Sequence, residues 1–226
     1  ILVPSANSFC PAWNLQPGER RTAWLVRPYR AYQSMLPALR RQDWGEEFEA
    51  AKSAWRNLIA RAAQLSIPDR HVQHAFLAGL ADCFVMREPL PGGYMATCPG
   101  TEGYRANGMG ESAIVTILLD QVGLHTEAAQ GYQVNWDLQD ADGCWAYTPG
   151  WEHYMWGASG FKAWAAMEHY RLTRDMGFLA AAYPHLAASS RWQEKQRAKT
   201  RVLVNGERPL TYGLMPRGMG DCGLMG

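Results

Sequence analysis

Three short stretches of this chain hold carboxylates among glycines or aromatic rings, where side chains can do chemistry. Near the C-terminus, "YGLMPRGMGDCGLMG" sets Asp221 among glycines, which let the backbone approach a ligand closely, and near Met219, Leu224 and Met225. An apolar setting favours the protonated form of a carboxyl group, which is what a general acid needs. In "PGWEHYMWG", Glu152 stands among Trp151, His153, Tyr154 and Trp156. Rings of that kind stack on the apolar faces of sugars, while the acid and imidazole bond hydroxyls. In "PGTEGYRANGMGES", Glu102, Tyr104 and Arg105 precede Glu111. Each stretch also has a plainer reading. Asp221 can sit on a frayed terminus, Glu152 and its rings can simply pack a loop, and Glu102 can pair with Arg105 inside a loop. Glu111 can serve the free N–H groups and dipole of a helix start.

Other polar residues point away from a site. Asp140 and Asp142 precede Gly143 and read as turn residues. Glu46, Glu47 and Glu49 fall on the polar side of a helical pattern and read as solvated. His71 and His74 are spaced to share a helical face, with no third ligand nearby, so no metal site is expected. The five cysteines have no CxxC spacing and an odd count, which argues against a full disulfide framework.

Bulk properties narrow the classes. The formal charge is +1, so the chain lacks the basic footprint of a nucleic-acid binder. Its longest apolar run, "AIVTILL", is far short of a bilayer span. There is no GxSxG, no phosphate-binding GxxxxGK[ST] and no strand-linked GxGxxG, so serine hydrolase, nucleotidase and dinucleotide-binding readings have no motif behind them. No cofactor is expected.

The elements that must position these residues are mostly helical. Residues 1–30 contain a Pro17-Gly18 turn and "TAWLV", a β-branched and aromatic run that predicts a strand. They read as the end of a β-domain or a β-extension, and 31–42 as a linker. From Asp43 the apolar period becomes three and four, in Phe48, Ala51, Trp55, Leu58, Ile59, Ala62 and Leu65. A second helix is expected in "IPDRHVQHAFLAGLADCFVM", with Pro68 in its first turn and Asp69 as a capping candidate, and the two helices form an antiparallel pair. Two more pairs are expected, 110–123 with 126–139, and 156–173 with 178–197, the last joined by "RDMG". Connections within a pair are short and loops between pairs are long. That asymmetry predicts hairpins whose decorated loops share one face.

The succession "PGTEGYRANGMGESA", "LLDQVGLHTEAAQGYQVNWDLQDADGCW", "WGASGFKAWAAMEHYRLTRDMGF" and "YGLMPRGMGDCGL" resembles the six-hairpin glycosidases, whose fold is an (α/α)6 barrel. The shared features are Tyr104 and Arg105 ahead of an acidic helix start, a Q-x-x-DG turn at 139–143, T-x-D-x-x-F at 173–178, and GL-x-P at 213–216. The L-x-PGE at 15–19 resembles the close of the β-sandwich that precedes many such barrels. "NGMGES" departs from the family's usual W-x-R-D or WDS, with Glu111 standing in for the aspartate.

The resemblance implies a mainly α fold, with 43–226 forming part of a toroid of which about three hairpins are visible, so that the chain reads as a piece of a larger barrel. It implies a carbohydrate substrate and hydrolysis by two carboxylates, which in an inverting enzyme stand roughly 6.5–9.5 Å apart. Asp221 is then the general acid and Glu111 a weaker catalytic candidate. Glu102, Tyr104, Arg105, Trp151, Glu152, His153, Tyr154 and Trp156 become substrate-binding candidates. The partner expected beyond the sugar is the remainder of the barrel, or an oligomer partner, covering the open core. Two other uses of the scaffold stay open: a lyase or epimerase in which His153 and Tyr154 carry proton transfer, and a carbohydrate-binding or scaffold protein without catalysis.

Overall fold

A computed structural model describes residues 12–28, 32–100, 110–145 and 156–217. The chain divides into two compact units, residues 1–55 and 56–226.

The first unit opens on the expected turn. The Glu19 N–H donates to the Gln16 carbonyl at 2.9 Å, and Gly18 takes φ 82°, the left-handed value that the third residue of a type II turn requires. "TAWLV" is not a strand: no ladder forms there, because no partner strand lies beside it among the described residues. Trp24 instead packs its ring on Phe48, with centroids 5.6 Å apart. The expected linker is also partly helical, a 3-10 turn at Gln33–Met35 running into α1, Leu36–Arg41. Helix α2, Trp44–Ala60, starts where the Asp43 carboxylate accepts the Gly45 and Glu46 N–H groups at 2.9 and 3.1 Å. Glu46, Glu47 and Glu49 are exposed, as their spacing implied.

Helix α2 ends five residues before Leu65, the expected limit. Gln64 folds its amide back onto the Ile59 and Ala62 carbonyls, and so serves acceptors that a longer helix would have used. Helix α3, Arg70–Val85, begins at Asp69, whose carboxylate accepts from the His71 and Val72 N–H groups. Pro68 precedes this cap rather than lying in the first turn. After α3 the chain makes an antiparallel pair not foreseen in the sequence, β1, Arg87–Pro89, with β2, Met95–Thr97. The pair is pinned to the next hairpin by Arg87 to the Gln130 side chain at 2.8 Å and by the Tyr94 hydroxyl to Asp137.

Two helical pairs follow: α4, Glu111–Gln121, with α5, His125–Asp137, and α6, Trp156–Thr173, with α7, Met176–Ala198. The link between α6 and α7 shrinks to Arg174-Asp175, because Asp175 caps α7 through the Phe178 N–H at 2.9 Å and draws Met176 and Gly177 into the helix. Helices α4 and α6 lie side by side and parallel. Gly110, at the start of α4, sits so close to α6 that a Cβ there would fall 2.6 Å from the Phe161 ring; at the other end, Asp120 bonds His169. Small side chains permit the approach, Ala113 on α4 and Ala165 and Ala166 on α6, with Tyr132, Phe178 and Ala182 from α5 and α7 completing one cluster. A second cluster joins Leu80 and Cys83 to Val115, Leu119, Leu124 and Ala128. Burial pushes the Cys83 and Cys98 thiols upward in pKa, which keeps them unreactive. The fold is thus mainly helical with one small antiparallel sheet. No helix among the described residues is long and apolar enough to cross a membrane.

The fully buried Asp120 carboxylate ties three helices together. His125 of α5 and His169 of α6 both donate Nδ1–H to it at 2.9 Å. Replacing Asp120 with Ala leaves the buried His169 donor without an acceptor and opens a void. We expect the variant to lose about 3 kcal/mol of stability, measured as a lowered midpoint in urea; a change under a quarter of that would show that the clamp is not structural.

Candidate functional site

Because α4 and α6 are parallel and each follows a long segment, their N-termini lie at one end of the second unit. Glu111 is the first residue of α4. Its N-cap is Gly110, which supplies no side-chain bond, and the Glu111 Oε2 is buried without a hydrogen-bond partner among the described residues. The plain capping reading is therefore not met by any hydrogen bond, and an acceptor is left for something else to satisfy. On α6, Phe161, whose ring packs against the neighbouring Gly110, forms a tilted pair with Trp164, centroids 6.4 Å apart, the two exposed by 39% and 47%. Composition alone did not single out this aromatic surface, although i, i+3 spacing on an apolar helix was a usable signal.

Trp156, the first residue of α6, is half-buried. It packs on Trp192 of α7 at 5.6 Å between centroids, in a cluster with Cys144 and Met215. Met215 belongs to the segment Gly213–Pro216, and that segment is fastened to the end of α7 by Arg197, which donates to the Gly213 carbonyl at 2.8 Å, and by Thr200, which donates to Leu214. So the GL-x-P segment returns to the end where α6 begins. Asp221 follows a few residues later, outside the described residues, as do Glu102, Tyr104, Arg105, Trp151, Glu152, His153 and Tyr154.

The Q-x-x-DG turn has a clear physical cause. Gly143 takes φ +95°, and a Cβ there would meet the Ala188 carbonyl oxygen at 2.4 Å, so only glycine fits. The Gly143 N–H closes the turn on the Asp140 carbonyl at 2.8 Å, and Asp142 accepts from the Cys144 N–H, so both acids are turn residues. Gln139 then reaches across to α7, donating to the His185 carbonyl and bonding the His185 Nδ1 at 2.7 Å. The His185 ring lies nearly parallel to Trp136 and Trp145, 6.0 and 6.2 Å from their centroids. Burial lowers the pKa of this imidazole, against the opposing pull of Asp137.

One charged residue at this end was missed entirely. Lys162 of α6 is 0% exposed, and among the described residues its Nζ has a single hydrogen bond, 3.5 Å to the Trp145 carbonyl. Its position in "GASGFKAW" gives no sign of this, since isolated lysines are normally exposed. Neither His71 nor His74 joins the site; both are exposed on α3. No group of three or more His, Cys, Asp or Glu fit to hold a metal ion occurs among the described residues.

Compared with protein-family models, with curated proteins and with solved structures, the chain matches none.

Desolvation pushes Lys162 down to about 8 from 10.5, opposed by nearby Cys144. Between these values the unfolded chain holds a proton that the folded chain has lost, so this residue makes stability rise with pH across that window. The burial penalty is fully present below pH 8 and amounts to roughly 3 kcal/mol. Lys162→Met is expected to be at least as stable as the wild type at pH 7 and to show a flatter rise in melting temperature from pH 7 to 10. Parallel curves for the two proteins would show that the amine does not titrate in this window.

Proposed function

We propose that this chain forms part of a glycoside hydrolase-like α/α toroid that binds carbohydrate at the end where α4 and α6 begin. The observation that carries the reading is the Glu111 oxygen, buried and unsatisfied among the described residues, next in the chain to Gly110, against which the exposed Phe161 ring packs with Trp164 at its side. A sugar presents a hydroxyl to the first and an apolar ring face to the second. The attachment of Gly213–Pro216 near Trp156 supports a place for Asp221 at this same end. In this reading Asp221 gives the proton to the leaving oxygen and Glu111 holds a sugar hydroxyl or serves as a second carboxylate. Trp151, Glu152, His153, Tyr154, Glu102, Tyr104 and Arg105, carried on the long loops, complete the binding surface. The lyase, epimerase and non-catalytic readings make the same use of the aromatic surface but none of Asp221 as an acid.

The test is hydrolysis and binding of an oligosaccharide panel by the protein as its native source makes it. Trp164→Ala, at an exposed position, is expected to weaken binding about tenfold, the worth of one lost stacking contact of about 1.4 kcal/mol, with the helical circular dichroism unchanged. Asp221→Asn is expected to lower turnover at least a hundredfold while binding persists, as loss of a general acid does. Binding without turnover in either protein favours the non-catalytic reading, and no binding of any glycan overturns the proposal.

A further inference from the structure

A groove of about 580 Å³ lies at the opposite end of the same unit, where α4 and α6 finish and α5 and α7 begin. That volume is within the usual range for small-molecule sites. His125 and His169 both line it, and both are held from behind by the buried Asp120. A carboxylate only accepts, so each ring must carry its hydrogen on Nδ1. In the neutral ring the Nε2 is then a bare acceptor.

His169 is the more telling of the two. It is 2% exposed, its Nδ1 is committed to Asp120 and its ring packs on Phe178 at 4.2 Å between centroids. No described residue bonds its Nε2, and the ring lines the groove. A buried imidazole locked in one tautomer, with an unused acceptor and its ring lining a cavity, is a built recognition element rather than a packing residue.

The geometry also decides what the groove does not hold. The two rings leave one carboxylate oxygen at a wide angle, their centroids 6.4 Å apart and their planes 76° from parallel. Their Nε2 atoms point apart and cannot meet on one ion, which separates this pair from a two-histidine metal site. Asp120 and Asp175 make the surroundings unfavourable to an anion. What fits is a neutral ligand with hydroxyl donors spaced across its ring and an apolar face. Gln133 and Thr126 add polar contacts at the rim and Leu172 an apolar wall.

We propose that this groove is a second binding site, for a neutral polyhydroxylated ring such as a pyranose or a cyclitol, read by the His125 and His169 Nε2 atoms. It stands independently of chemistry at the long-loop end. The test is imidazole NMR of the labelled protein, titrated with the methyl glycosides of glucose, galactose and mannose and with myo-inositol, and separately with zinc chloride and with inorganic phosphate. Saturable shifts of both histidine ring signals with at least one polyol, at millimolar affinity, are expected. Gln133→Ala, an exposed rim position, should weaken that polyol about tenfold, equal to one lost hydrogen bond of about 1.4 kcal/mol. Glu111→Gln should leave it unchanged, which separates this site from the one at the long loops. Absence of a shift with every polyol, equal affinity in Gln133→Ala, or shifts with zinc or phosphate alone would each overturn the proposal.

Discussion

Close parallel packing of α4 against α6 is the constraint on which the second unit depends. Two helices approach this closely only where the residues between them are small, and here Ala113, Ala165 and Ala166 meet the requirement together with Gly110. Asp120 and His169 meet across the same seam, and Thr116 on α4 and Lys162 on α6 are buried as well. Polar atoms removed from water must find partners inside the protein, and the partners they find set the surroundings of the seam. Thr97 of β2 bonds Thr116 at 3.2 Å and the Ser112 carbonyl at 2.9 Å, which fixes the small sheet to the start of α4. Asp120 gathers His125 and His169. Lys162 holds the Trp145 carbonyl and with it the loop that follows α5.

From that seam follows a second unit with two chemically different ends. At the N-terminal end of α4 and α6 the chain spends long segments, and there the Phe161 ring packs on Gly110, next to an acid with an oxygen unused among the described residues. At the other end the connections are only a few residues long, so there is little loop to carry function, and what polar chemistry exists comes from the helices themselves. Groups on helices are held more rigidly than groups on loops. A pair of histidines without any motif around them is accordingly fixed by hydrogen bonds to Asp120 as the Gln139 turn, which has one, is fixed to His185.

Much of the helical architecture was legible from periodicity. Helices α4, α6 and α7 fall within two residues of their expected limits, since long runs with apolar spacing of three and four leave little choice. Asp69 was legible as a cap because its side chain needs only its own neighbours. Asp175 was legible only in part, as one letter of a shared pattern whose capping role was not read from it. The strand at "TAWLV" failed for the converse reason: β-propensity describes a side chain's fit to a partner strand, and none is present among the described residues. The β1–β2 pair was hidden in a segment read as loop, because three-residue strands carry almost no periodic signal.

The candidate site divides along the same line. Glu111 and Trp156 were visible as chemically able residues, and the structure sets them at the starts of two parallel helices. Phe161 and Trp164 looked like ordinary helix residues, and Lys162 like a surface lysine. The sequence by itself determined the helices, their short and long connections, and the glycine that the turn at 143 demands, because each of these is settled by residues near one another in the chain. Only the tertiary structure decided that Asp120 faces His125 and His169, that Lys162 is buried, and that Phe161 rather than another ring lies beside the start of α4. Those outcomes depend on which face of one helix meets which face of another, and that is fixed by packing and polar satisfaction across tens of residues, where local pattern has no influence.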